Sequence, residues 1–234
     1  MEDPNSDIQS GENGDTEKDE SGEIEREVAN ECFPIDEGTL VSLGLEIAPS
    51  ISVGGCTKVE EIGYSVLYLP DYLSQGTISN RNGSSACTPI SIIAGYFVGN
   101  SPQLPLDNIL LLFVGCMEVG NMLHEKQSLQ YMNVHEALSL LPESMTTDII
   151  EECGSIVNAN TVVPLDFETP AYFVVISEGK SSVFLQRESE IYWLDSHSHL
   201  PHGASIYFIP LEGFDDFFRS KYDRCYVNII VLSC

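Results

Sequence analysis

Cys87, Asp195 and His197 are the residues whose types and spacing can do covalent chemistry. Cys87 stands in the run Asn82-Gly83-Ser84-Ser85-Ala86-Cys87-Thr88-Pro89, followed by an apolar stretch from Ile90 to Val98. Asn-Gly and Ser-Ser are turn and helix-start residues. Proline is tolerated in the first turn of a helix, where its missing N–H costs nothing. Ser84 or Ser85 is therefore expected to cap a helix that carries Cys87 in its first turn. Ile90, Ile92, Ile93, Ala94, Tyr96, Phe97 and Val98 point all round that helix, which predicts burial on both sides. A thiol at the positive end of a buried helix is placed to become a thiolate. The plainer alternative is a small buried cysteine with no chemistry.

Asp195 and His197 are two apart at the end of an expected strand. Side chains at i and i+2 share a face, so the carboxylate can hold the imidazole in one tautomer and stabilise its charged form. Asp-x-His alone is common in surface loops. Together with a cysteine at a helix start, it supplies the parts of a cysteine nucleophile site, far apart in sequence as such partners usually are. His197, His199 and His202 with Asp195 also suggest a metal site. The remaining histidines, His124 and His135, fall on expected helices and offer no second pair of ligands. A solvated loop is the preferred reading of His199 and His202, and neither metal nor cofactor is expected. Tyr192, Trp193 and Tyr207 either line a substrate channel or, at strand spacing, belong to the core.

The elements that must position these groups follow from period and punctuation. Order is expected from about Phe33, with a short helix and an extended piece over 39–51. Residues 63–70 read as a strand closed by proline, and 71–85 as a loop leading to the Cys87 helix. A second helix is expected over 105–125, where Gly115 and Gly120 suggest close packing. Asn133 should cap a helix over 134–141 that Pro142 ends. Residues 144–152 read as one more short helix. From Val162 strands are expected at 171–177, 182–186, 191–194, 204–209 and 226–232. A hairpin turn at 178–181 joins the first two, and Phe214, Phe217 and Phe218 lie on a helix over 211–222. Helices followed by an antiparallel meander imply an α+β fold with two segregated layers.

Charge and cysteine use narrow the function class. The chain has 234 residues, 43% hydrophobic content and a net charge of −26. Phosphates would be repelled, so nucleic acid is not an expected partner and a basic protein or peptide is. No stretch reads as a membrane span or a signal peptide, and no membrane partner is expected. Seven scattered cysteines without a C-x-x-C spacing imply free thiols in a reducing compartment, with cytoplasm or nucleus as the default. Oligomeric state is not legible. Residues 1–31 are acidic and polar, with too little apolar surface to offset ordering entropy, and are expected to be a disordered tail. Residues 32–234 are expected to form one domain.

The stretch from Gly83 to Thr88, opening a buried helix, resembles the nucleophile helix of papain-like cysteine proteases. Three further stretches look most like deubiquitinases of the herpesvirus tegument type, in which Cys comes early and Asp-x-His lies on a later strand. They are Ser182-Val-Phe-Leu-Gln, Ile191-Tyr-Trp-Leu-Asp195-Ser196-His197 and Gly203-Ala-Ser-Ile-Tyr-Phe. The resemblance spans about 63–234. It implies a papain-like fold, with N-terminal helices packed on a C-terminal antiparallel sheet. It makes Cys87 the nucleophile, His197 the general base and Asp195 its orienter. It also implies an upstream glutamine at the oxyanion, and Gln75, twelve positions before Cys87, is in place for that, with Asn80 and Asn82 as alternatives. Papain orients its histidine with a later asparagine, a role open to Asn228.

The expected activity is a cysteine-dependent hydrolase that cleaves ubiquitin, or a ubiquitin-like modifier, after its C-terminal glycine through a thioester. The alternative is an inactive papain-like module that binds ubiquitin or another protein. A papain-like transferase or amidase is a third reading. Removing residues 1–31 is expected to leave the melting temperature unchanged, and a large drop in a thermal melt would show that the segment packs on the domain.

Overall fold

The computed structural model describes residues 54–233, apart from 102, 128–129, 143–144, 146, 159–160 and 162–170. All of them belong to the unit Phe33–Cys234. The expected acidic tail at 1–31, the elements at 39–51 and the onset of strand texture at 162 lie outside the described residues.

Eight strands form one antiparallel sheet in the order β1-β2-β7-β6-β5-β4-β8-β3. They are β1 (Thr57–Glu61), β2 (Tyr64–Tyr68), β3 (Ile149–Ile156), β4 (Ala171–Ser177), β5 (Lys180–Arg187), β6 (Glu190–Asp195), β7 (Ser205–Pro210) and β8 (Tyr226–Ser233). The helices are α1 (Cys87–Gly99), α2 (Leu106–Gln127), α3 (Val134–Ser139) and α4 (Phe214–Tyr222). The fold is α+β, as the sequence implies.

Its layering differs from the expected two. The central strands are apolar at nearly every position, so both faces of the sheet need cover. Tyr172, Val174, Val183, Leu185 and Leu194 point to one face, where α1, α2 and α3 pack. Phe173, Val175, Phe184, Trp193 and Tyr207 point to the other, where Phe214, Phe218 and Tyr222 of α4 close a second core. Trp193 and Tyr207 are therefore core side chains, stacked with ring centroids 4.3 Å apart. The sheet also begins before the helices, because β1 pairs with β2 and β2 with β7, so both join the main sheet.

Local chemistry accounts for most boundaries. Asn133 caps α3 reciprocally: its side chain accepts from Glu136 N at 2.9 Å, and Glu136 Oε2 accepts from Asn133 N at 2.8 Å. Glu178 and Gly179 both have positive φ, +52° and +74°, which suits the two-residue turn between β4 and β5. Of the helix expected over 144–152, residues 149–152 are instead the start of β3, which among the described residues is an edge strand paired with β8 alone, and 144 and 146 lie outside the described residues. Its paired Ile149-Ile150 and Glu151-Glu152 carry little apolar periodicity of either kind, and the pairing surface offered by β8 decides the conformation.

Two expectations about helices need correction. Neither Ser84 nor Ser85 is the N-cap of α1; Ala86 is, with no side-chain cap bond. Ser84 acts one step earlier, its hydroxyl accepting from Ala86 N at 3.0 Å. By length and composition alone, α2 is apolar enough to cross a membrane, contrary to the sequence reading. Of its most apolar window, 67% is buried within the fold, largely against α1.

Close packing between α1 and α2 rests on glycine. A Cβ at Gly120 would meet Ile90 Cγ1 at 2.4 Å and the Ile90 backbone nitrogen at 2.9 Å. Because backbone cannot swing aside as a side chain does, Gly120→Ala is expected to destabilise the fold by about 1–3 kcal/mol. Chemical denaturation checks this, and an unchanged midpoint would refute it.

Candidate active site

The sheet and α1 bring together residues that are distant in sequence. Cys87 opens α1, which lies across β4 and β5. Asp195 is the last residue of β6, and His197 follows two residues later. The β4–β5 turn carries Ser181 to the same place, where its hydroxyl pairs with Thr88 Oγ1 at 2.9 Å. All three expected catalytic side chains are thus at one end of the sheet.

Their contacts form a chain. His197 Nδ1 lies 2.6 Å from Asp195 Oδ1, which also accepts from the His197 backbone N–H at 3.1 Å. With Nδ1 engaged by the carboxylate, Nε2 is the nitrogen left for Cys87, whose thiol is hydrogen-bonded to the His197 side chain. Burial alone would push the Cys87 thiol up. The hydrogen bond and charge of His197, with help from Ser181, outweigh that and bring it below the ordinary thiol range. Burial would lower the imidazole, but the bonds to Asp195 and Cys87 raise it to about 9. Burial would likewise raise Asp195, yet its contacts with His197 and His199 hold the carboxyl well below the usual carboxylate range. In contrast, burial without such a partner pushes the Cys116 thiol up to about 12. A pair with a depressed thiol and an elevated imidazole favours thiolate–imidazolium over thiol–imidazole, which is the form a cysteine nucleophile needs.

Gln75 is built into the same site. Its backbone N–H donates to Ser196 O at 2.8 Å, between Asp195 and His197. Its side-chain oxygen accepts from Ser196 Oγ at 2.8 Å, and Nε2 donates to Ser84 O at 3.2 Å. Gln75 is 5% exposed, and its carboxamide bridges the approach to α1 with the end of β6. An amide nitrogen carries two hydrogens, so one N–H remains for another acceptor. Asn80 and Asn82 are exposed on the intervening loop. Asn228 Nδ2 donates to Glu152 Oε1 at 3.1 Å, on the β8–β3 side of the sheet, while Asp195 is the group on His197.

Sequence reasoning missed the device that holds the Gln75 loop. One face of α2 clasps it. Asn121, 1% exposed, donates from Nδ2 to Gln75 O at 3.0 Å and accepts from Ser84 Oγ. Glu118, 4% exposed, accepts from Ser79 Oγ and pairs with Arg81 Nη1 at 2.6 Å. Arg81 Nε also reaches Glu125 at 2.8 Å. These contacts support Ser79 and Asn80, whose φ values of +54° and +61° are uncommon for non-glycine residues. Glu118, Asn121 and Glu125 recur at helical spacing on an otherwise apolar helix, which was the available signal. Ser181 and Ser196 carried none.

The loop after β6 is equally fixed. Gly203 N donates to Leu69 O at 2.9 Å, and Ala204 N to Leu73 O at 2.7 Å. A Cβ at Gly203 would lie 2.1 Å from Pro70 O, so only glycine permits this docking. A groove of about 320 Å³ opens beside His197 toward α4, with Trp193, His199, Lys221 and Tyr222 among its walls. Among the described residues, no three His, Cys, Asp or Glu side chains converge as a metal-binding group, and Cys87, Cys116, Cys153 and Cys225 are free thiols.

No family model and no curated protein matches this chain. Among solved structures it is similar to the ubiquitin-specific protease encoded by murine cytomegalovirus tegument protein M48, solved in complex with a ubiquitin-based suicide substrate. The identity is 12% and the TM-score 0.47, over 69% of this chain and 84% of that one. The site is therefore read from its own geometry.

The imidazole predicts a pH signature of stability. Its folded-state pKa, about 9, lies above the unfolded value of roughly 6.5. Its contribution is fully present below pH ~6.5 and is lost as pH rises through about 9. The stability gap between wild type and Asp195→Asn is thus expected to be widest near pH 6 and to shrink toward pH 10. Urea denaturation at several pH values measures it, and a gap that stays constant would contradict the pairing.

Proposed function

We propose that this chain is a cysteine hydrolase that cleaves ubiquitin or a ubiquitin-like modifier after its C-terminal glycine. The observation that carries the hydrolase reading is the contact chain from Asp195 through His197 to Cys87, with the thiol depressed and the imidazole elevated. The choice of modifier rests on the sequence resemblance around Cys87 and Asp195–His197, and on charge. Ubiquitin's tail is basic, and a chain of net charge −26 attracts it.

In this reading the Cys87 thiolate attacks the glycine carbonyl carbon. The carbonyl oxygen takes the negative charge and is held by backbone N–H groups at the start of α1 and by the free N–H of Gln75. His197 gives its proton to the leaving amine, the carbon–nitrogen bond breaks and a thioester remains. His197, now neutral, takes a proton from water, which attacks the thioester and releases the modifier's carboxylate and the thiol. Asp195 keeps Nδ1 protonated throughout, so that Nε2 does the transfers. Residues 32–234 are the catalytic domain in this proposal, and a reducing compartment such as cytoplasm or nucleus suits its free thiol.

The test uses ubiquitin with an electrophile at its C-terminus and a ubiquitin C-terminal fluorogenic amide. Wild type is expected to form a covalent adduct at Cys87, mapped by mass spectrometry, while Cys116 stays unlabelled. Cys87→Ala should abolish both adduct and turnover. Asp195→Asn should keep binding but lower kcat roughly 10- to 1,000-fold, less than the ~10⁴ that the same change costs a serine protease, because a thiol ionises more readily. Binding without adduct or turnover would instead identify a binding module. An adduct lost in Asn228→Ala but kept in Asp195→Asn would reassign the orienter.

A further inference from the structure

Asp195 is contacted by two imidazoles, and the proposed reaction uses only one. His197 occupies Oδ1. His199 Nε2 lies 3.2 Å from Oδ2, is buried, and sits off the line of a straight hydrogen bond. The His199 ring is held by its surroundings. Its ring centroid is 6.0 Å from that of Tyr68 on β2 and 6.5 Å from that of Tyr207 on β7. Its backbone forms a two-way bridge with His202: His199 N donates to His202 O at 3.1 Å, and His202 N to His199 O at 2.8 Å. His202 in turn stacks on Tyr68 with centroids 4.8 Å apart. Ser198 Oγ closes the same turn by donating to His202 O at 3.0 Å.

A carboxylate at the end of its side chain turns about a soft, broad torsion. Buried at 8% exposure, Asp195 has little water to define its plane. The donors on Oδ1 both come from His197 and leave rotation about that oxygen open. A second contact on Oδ2 from a different, rigidly held residue fixes the plane. Resting on the hydrolase reading above, we propose that His199 is a positioning residue. Its Nε2 pins Oδ2 of Asp195, so that Oδ1 stays aligned with Nδ1 of His197 and Nε2 of His197 stays aimed at Cys87. His199 touches neither Cys87 nor the reacting atoms and acts only through Asp195. The charged and titratable groups around it are Tyr68 on β2, Tyr207 on β7, His202 in its own loop, Lys221 and Tyr222 on α4, and Glu178 and Lys180 at the β4–β5 turn.

Three variants of the full chain separate the donor from the ring. His199→Phe keeps the aromatic packing without a nitrogen. His199→Gln places an amide N–H near the Nε2 position, and His199→Leu has similar bulk without a donor. Two quantities are measured: the rate of Cys87 alkylation by iodoacetamide from pH 5 to 10, and kcat and KM on the ubiquitin C-terminal amide. His199→Phe and His199→Leu are expected to raise the pH midpoint of Cys87 alkylation by about half a unit to one unit. They should lower kcat roughly 3- to 30-fold with KM within about twofold. His199→Gln should recover at least half of both changes. If His199→Phe keeps the wild-type profile, or if His199→Gln and His199→Leu behave alike, the contact positions nothing and the proposal is overturned. If Asp195→Asn leaves the alkylation profile of Cys87 unchanged, the hydrolase reading fails first and takes the role of His199 with it.

Discussion

Burial of α1 is the constraint on which the rest of the structure depends. Ile90, Ile92, Ala94 and Val98 are fully enclosed, and Ile93 nearly so. A helix that is apolar on every side has no solvent-facing option and must be covered by two partners. The sheet supplies one and α2 the other. Gly95 lets the Tyr172 ring of β4 press against the helix, and Gly120 lets α2 approach from above. With those contacts made, the first turn of α1 can lie only over the β4–β5 turn and the end of β6. The thiol's place is a result of hydrophobic packing, and its ionisation is a result of what that packing puts beside it.

Much of this was legible in the sequence, for identifiable reasons. Cys87, Pro89 and the apolar run fix a buried helix start through propensity and period alone. Asp195 and His197 are close because they are two residues apart, Asp195 ending β6 and His197 standing in the bend just after it. The central strands announce themselves by continuous Val, Ile, Phe and Tyr. What was not legible depended on partners far away in the chain. β1, with the sequence Thr-Lys-Val-Glu-Glu, has no apolar face to read and exists because β2 offers it hydrogen bonds. The first residues of β3, 149–152, read as part of a helix over 144–152 because Glu and Ile suit either state until β8 lies beside them. The second face of the sheet was missed because a fully apolar strand does not say how many layers cover it.

The polar residues divide in the same way. Gln75 was identified by its position relative to Cys87, but its restraint by Asn121 needed the helix register of α2 and the path of the loop together. Glu118 carries no sign of a partner in the sequence, and it is a buried anion paired with Arg81. His199 and His202 read as a solvated loop. They are instead packed against Tyr68, with His199 facing the carboxylate. In each case a partner more than thirty positions away, or a tight local turn, sets the environment that residue type alone does not show.

The position of β8 has a consequence for how the chain must assemble on the ribosome. Among the described residues β8 follows every other strand in sequence but lies between β4 and β3, and it is the sole neighbour of β3 there. A nascent chain that has emerged as far as α4 already contains the cysteine helix and the strand that ends in Asp195. It still has one side of β4 open and β3 unattached. The open side runs through Tyr172, Phe173, Val174 and Val175, a surface on which other chains can aggregate. Closure waits for residues 226–233 to clear the exit tunnel. A polypeptide released before that point therefore presents sticky edges.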